Sequence, residues 1–233
     1  MISSPTTIGV GSLPTRSAPN WRNTLLLVGG LALAGVLVVP FDGQVAHFFL
    51  GGGCPGELDK LFDLAEVFGH GTGAFLVILT VWVLDPLGWR AAAWLAGATY
   101  GAGMGANVLK MLVERTRPNA VVGQIIGWDT FQAWIPLWTA GRGGQSFPSG
   151  HMATAVGLAV GLATLYPRGR WLFGVFAVLA GCQRIESGAH FPSDVLWGAA
   201  VGLLVGSAVM QAYTEWAEKR ERSNGQATAP AGS

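Results

Sequence analysis

Three short groups of cations, histidines and one carboxylate interrupt an otherwise apolar chain. Lys110 is followed seven residues later by Arg117-Pro118, Pro148-Ser149-Gly150-His151 forms a second group, and Arg184, His190 and Asp194 form a third. A charged side chain held near hydrocarbon costs about 3 kcal/mol, so such residues mark working sites. Lysine and arginine hold anions, and a Ser-Gly pair opening a helix turns free N–H groups toward one. Imidazoles attack electrophiles and move protons near neutral pH. An anion that is held, attacked and relieved of its leaving group would use all of these, and phosphate is the obvious candidate.

The elements that carry these groups follow from composition. The chain has 233 residues, 51% of them hydrophobic and only 12% charged, with 35 glycines and a mean hydropathy of +0.44. A soluble domain carries roughly 25% charged residues. Apolar stretches long enough to cross a core of about 30 Å as helices recur along the chain, and abundant glycine and alanine suit close helix packing in lipid. The expectation is an all-α, polytopic membrane protein with a six-transmembrane-helix bundle. The spans are Asn23–Phe41, Gly71–Leu84, Ala91–Leu112, His151–Tyr166, Trp171–Ile185 and Asp194–Tyr213. Residues 21–222 form the membrane domain. Residues 1–20 and 223–233, rich in Ser, Thr, Pro, Gly and Ala, read as disordered cytoplasmic tails.

The basic residues favour cytoplasmic termini. That side would hold Arg16, Arg22, Arg90, Arg168, Arg170, Lys219, Arg220 and Arg222, against Lys60, Lys110, Arg115, Arg117, Arg142 and Arg184 outside. The margin is small, but three of the outer cations belong to the motif groups, and the outer side takes nine of the thirteen acids. The first span lacks a small-residue cleavage site and reads as a retained helix. A net charge of +1 points to no nucleic-acid partner. Cys54 and Cys182 fit no metal or redox spacing, and a disulfide between them is allowed but not required.

Alternating topology then places the ends of the third and fifth spans, and the starts of the fourth and sixth, on one face. All three motif groups land there. Lys110 and Arg117, read as one helix ended by Pro118, are two turns apart, about 10 Å along the axis. Ser149 and Gly150 open a helix, with its dipole available to an anion. Pro192 suits a first helical turn, which puts His190 just before the sixth span and Asp194 within reach of its ring. Singly, Lys110 or Arg117 is more often an interface anchor, Ser149 an N-cap, and a membrane-edge histidine structural, as His47 and His70 are read. Arg142, Arg115 and Glu114 are read as loop charges. Convergence on one face favours a site for the motif residues together.

Written as Lys-x6-Arg-Pro, Pro-Ser-Gly-His and Arg-x5-His-x3-Asp, in this order over Lys110–Asp194, the set resembles the type 2 phosphatidic acid phosphatase (PAP2) superfamily. The resemblance implies His190 as nucleophile, Asp194 as its orienting partner and His151 as general acid. It implies Lys110, Arg117, Ser149, Gly150 and Arg184 as phosphate-binding residues, with no metal and no other cofactor. Gln183 departs from the serine usual before the third-motif arginine. Glu186 would either tune His190 or be a solvent-facing loop acid.

The expected reaction is hydrolysis of a lipid phosphate, monoester or pyrophosphate, at the outer leaflet of an inner (cytoplasmic) membrane. Its partners would be membrane lipids and no nucleic acid. A phosphotransferase using the same intermediate, a vanadate-dependent haloperoxidase and a non-catalytic anion-binding protein are the alternatives. The haloperoxidases are soluble and this chain is not, while binding alone has no use for both histidines. Glu57–Phe68 has apolar residues at helical spacing and reads as an interfacial helix. Trp128, Phe131, Trp134, Ile135 and Trp138 make the loop between the first two motifs an aromatic, headgroup-level segment.

Overall fold

The computed structural model describes residues 19–121, 127–135 and 145–227. The expectations for Trp138, Arg142 and most of both tails fall outside the described residues. Asn20 opens the first helix, its side chain accepting from the Asn23 N–H. That helix, α1, spans Trp21–Val38 and passes through a single 3-10 turn into α2, Asp42–Leu50. The amphipathic segment expected over Glu57–Phe68 is α3, Gly56–Gly69, and only His70 separates it from α4, Gly71–Leu84. α3 and α4 are bent by 64° at that break. The remaining helices are α5, Trp89–Lys110; α6, Gly150–Leu165; α7, Arg170–Glu186; and α8, Pro192–Ala227.

Each expected span therefore coincides with a helix, and α2 and α3 are additional. Two segments are long and apolar enough to cross a bilayer, Trp21–Leu50 and Pro192–Arg220, and the bent α3–α4 pair makes a third if it is one span. The last helix continues past Arg222, so residues 223–227 are helical rather than tail.

A short hairpin accompanies the helices: Val113–Arg115 (β1) pairs antiparallel with Phe131–Trp134 (β2). One expectation is corrected: Lys110 and Arg117 are not carried by one helix. α5 ends at Lys110, β1 follows, Arg117 is extended at φ −79 ψ 153, and Pro118 opens a 3-10 turn instead of stopping a helix. The apolar period of α5 runs on through Leu112, but the backbone leaves the helix because Arg115 is drawn into a buried network.

α6 is the hub. It packs against α5, α7 and α8, while α1 covers α8 and α3 lies on α7. Alanine and glycine supply five of its eleven buried residues, Ala153, Ala155, Gly157, Ala159 and Gly161. Small residues let helix backbones approach closely where lipid supplies no hydrophobic drive. The tightest of these approaches near the motifs is at Gly198 of α8. A Cβ there would stand 2.4 Å from the Ser149 carbonyl oxygen and 3.1 Å from the Met152 Cβ.

Because the obstacle at Gly198 is backbone, it cannot rotate away. Gly198→Val should force α8 off the start of α6, a clash worth about 1–3 kcal/mol. The midpoint of thermal unfolding in detergent should fall by several degrees, and a wild-type midpoint would show that this contact is not tight.

Candidate active site

A cavity of about 240 Å³ lies where these helix ends converge, lined by Lys110, Arg117, Gly150, His151 and His190, with Gly69, Gly71, Gly103, Asn107 and Thr154 completing the wall. Five of the eight residues singled out from the sequence thus surround one space. Gly150 and His151 reach it as the first residues of α6, and Lys110 as the last of α5. The Lys110 ammonium donates to the Gln145 carbonyl at 3.1 Å, tying it to the segment that leads into the second motif.

Among the described residues, no aspartate or glutamate lines this cavity. Arg117 Nε is buried and makes no hydrogen bond among the described residues. An unpaired buried donor is costly, and here it stands beside a second cation and a helix N-terminus. Together these make a site for an anion.

His190 is only 4% exposed. Its Nδ1 lies 3.8 Å from Asp194 Oδ2 and makes no hydrogen bond among the described residues, so the two are in contact but not bonded. With Nδ1 turned to Asp194, Nε2 is the nitrogen left for the cavity. Burial drives the His190 pKa below the ordinary histidine value; Asp194 opposes this, while Lys110 and Arg117 add to it. Burial thus favours the neutral form of the ring.

The other three residues lie outside the lining. Asp194 is fully buried, behind His190. Its Oδ1 accepts from Arg115 Nη1 at 2.5 Å, and its Oδ2 accepts from Ser146 Oγ at 2.5 Å and the Phe191 N–H at 2.9 Å. Ser149 is the N-cap of α6, its Oγ accepting from the Met152 N–H at 3.3 Å, while its own N–H donates to the Asp194 carbonyl at 3.0 Å. Arg184 is held at the side: Nη2 meets Glu66 at 2.6 Å and Nε donates to Gln183 Oε1 at 2.6 Å. Gln183 thus serves Arg184, and its Nε2 also reaches Asp63 at 3.4 Å. Glu186 does not line the cavity; it joins Asp59 and Asp63 in a carboxylate cluster whose ligand atoms lie within 4.8 Å of one another. Both cysteines are free.

Sequence reading missed the centre of the arrangement. Arg115, taken as a loop charge, has no exposed surface. Besides Asp194 it donates to Asp42 Oδ2 at 2.7 Å, Ser193 Oγ at 2.6 Å and Thr130 Oγ1 at 2.8 Å. Its guanidinium carbon is 4.3 Å from the ring centroids of both Phe131 and Phe191. Ser193 also bridges to Asp42 through its hydroxyl at 2.5 Å and its N–H at 3.1 Å. The pairing of β1 with β2 shifts register between Glu114 and Arg115, setting Arg115 opposite Phe131, the kind of irregularity that re-aims a side chain near a site. A lone acid at the end of the first apolar run was the available signal.

One lysine and one arginine, with two histidines and no acid among the described lining residues, make a donor set suited to an anion. The family model described as "PAP2 superfamily" matches residues 91–218, more than half of the chain, and the chain belongs to that superfamily. It is 34% identical over 111 residues to a lipid A 1-phosphatase of Rhizobium etli, an alignment covering 47% of this chain and 45% of that protein. It is 32% identical over 133 residues to the undecaprenyl-diphosphatase BcrC of Bacillus subtilis, covering 56% of this chain and 63% of that one. The chain thus spans about half the length of the curated relatives it matches. In fold it resembles the crystal structure of a transmembrane PAP2-type phosphatidylglycerolphosphate phosphatase from Bacillus subtilis, with a TM-score of 0.54 at 20% identity, covering 83% of this chain and 96% of that one. It also resembles Aquifex aeolicus LpxE, with a TM-score of 0.53 at 22% identity, covering 73% and 95%.

Removing Arg115 would leave Asp42 and Asp194 buried without their shared cation. Arg115→Met should destabilise the protein by about 3–5 kcal/mol, as when one partner of a buried ion pair is deleted. Thermal unfolding in detergent measures this, and a midpoint within a degree of wild type would deny Arg115 an anchoring role.

Proposed function

We propose that the protein is a metal-independent phosphatase of lipid phosphates, acting through a phosphohistidine at the outer face of the membrane. The cavity carries the reading, because it combines two cations, an unpaired guanidinium nitrogen and two histidines, and has no lining acid. A substrate phosphate is held by Lys110, Arg117 and the α6 N-terminus at Ser149 and Gly150, which neutralise the equatorial oxygens as charge builds. His190 Nε2 attacks phosphorus. As the P–N bond forms, the bond to the leaving oxygen breaks and its electron pair stays on that oxygen, which takes a proton from His151. Asp194 faces the cation developing on His190. Water then attacks the phosphohistidine, His151 recovers the proton, and inorganic phosphate leaves. Arg184 joins the phosphate ligands by exchanging Glu66 for a phosphoryl oxygen. Because these fixed cations supply the positive charge, the reaction has no need of a divalent metal.

The substrate class is a lipid phosphate or diphosphate, in keeping with the names of the relatives. Six spans with cytoplasmic termini would set the cavity on the periplasmic or exterior face, reachable from the outer leaflet. Residues 21–222 form the catalytic membrane domain.

Purified protein in detergent should release phosphate from a panel of lipid phosphates and diphosphates, undiminished by EDTA and inhibited by vanadate. Acid quench with ³²P-labelled substrate should trap an acid-labile, base-stable phosphoprotein in the wild type and none in His190→Ala. Label persisting in that variant removes His190 as nucleophile, and EDTA-sensitive turnover restored by Mg²⁺ removes the metal-free mechanism.

Sidedness has its own check. In a Cys54→Ser, Cys182→Ala background, Ala120→Cys should react with a membrane-impermeant thiol reagent added outside intact cells, and Arg168→Cys should not. Reversed labelling would put the cavity on the cytoplasmic side.

A further inference from the structure

His70, read from the sequence as structural, stands at the α3–α4 break with its ring centroid 5.7 Å from that of His151. Its backbone is fixed on both sides. Before it, a Cβ on Gly69 would lie 2.9 Å from the His151 carbonyl oxygen, so only glycine allows α3 this close to α6. After it, the Gly71 carbonyl accepts from the Tyr100 hydroxyl at 3.0 Å. Both glycines line the cavity. The His70 ring caps α4, with Nδ1 accepting from the Thr72 N–H at 3.3 Å. That bond fixes the tautomer: a neutral ring accepting at Nδ1 carries its proton on Nε2. Nε2–H makes no hydrogen bond among the described residues, and the side chain is exposed, between the two glycines that line the cavity.

The groups acting on phosphorus, Lys110, Arg117 and His190, have no need of this donor. It neighbours His151, the residue that meets the leaving oxygen, so it meets what lies beyond that oxygen. In a phosphate monoester the next atom is carbon, which accepts nothing. In a diphosphate it is a second phosphorus bearing anionic oxygens, and a hydrogen bond to a charged acceptor is worth roughly 10–100-fold in affinity.

Resting on the phosphatase reading above, we propose that His70 recognises the leaving group, donating from Nε2 to the inner phosphate of a lipid diphosphate and so favouring diphosphates over monoesters. The reaction is then hydrolysis of the terminal P–O bond: the terminal phosphorus passes to His190, the bridging electron pair leaves with the lipid monophosphate, and water releases the terminal phosphate.

The test uses a matched pair, farnesyl diphosphate and farnesyl monophosphate, with the full-length protein in detergent. His70→Asn and His70→Ser both keep a side-chain oxygen that can cap α4, so the fold does not hinge on one variant. Each should lose roughly 10–100-fold in kcat/KM on the diphosphate and less than about threefold on the monophosphate. Inhibition by vanadate, which needs only the phosphoryl site, should be unchanged. Equal losses on both substrates, no loss on either, or weakened vanadate inhibition would overturn the assignment. Wild-type protein that hydrolyses only the monophosphate would overturn it while leaving the phosphatase reading intact. Wild-type protein inactive on both, and on the wider panel, would overturn both.

Discussion

The arrangement depends on one buried cation. Arg115 joins Asp42, at the start of α2, to Asp194, in the first turn of α8. These residues are 73 and 79 positions from it in sequence, so a single guanidinium gathers the first helical segment, the hairpin and the last helix. Burying three charges is expensive, and an ion pair often repays that cost only when every donor and acceptor is matched. Here the fork is filled by two carboxylates and two hydroxyls, and two aromatic faces close it from above and below. Such completeness favours one geometry over its neighbours.

That geometry reaches the cavity through Asp194. Held by Arg115, Ser146 and the Phe191 N–H, the carboxylate cannot swing. Its backbone carbonyl also takes the Ser149 N–H, so the residue that faces His190 fixes the entry to α6 as well. The third motif thus positions the second. Lys110, bound to the Gln145 carbonyl, ties the first motif to the same segment. Three groups far apart in sequence become one rigid object.

Much of this was legible beforehand because apolar runs of helical length, Ser-Gly before an apolar stretch and Pro192 after His190 are local signals. They gave a helix at each expected span, the N-cap at Ser149 and the opening of α8. What failed was non-local. The stretch after Lys110 keeps a helical period, and nothing nearby announces that Arg115 will leave it for a network with Asp42 and Asp194. Tertiary demand overrode local propensity there. The same blindness made Phe131 a membrane anchor by composition, when its ring lies on a guanidinium. The pairing of Arg184 with Glu66 of α3, 118 residues away, was equally out of reach of local signals.

The placement of acids explains why the cavity stays electropositive. Asp42 and Asp194 are consumed by Arg115, and Glu66 by Arg184. Asp59, Asp63 and Glu186 cluster along the α3–α7 contact, away from the lining. Lys110 and Arg117 therefore face a space with no carboxylate among the described residues of its wall. In surroundings of low dielectric that imbalance is large, because neither water nor counterion screens it fully. Arg184 differs from the other two cations, since its side chain is 12% exposed and its carboxylate partner 35% exposed. That pair is part-buried and reaches solvent through Glu66, unlike the fully buried pairs of Arg115. The buried pairs hold the frame, and in the proposed mechanism the part-buried pair is the one that a phosphoryl oxygen would exchange.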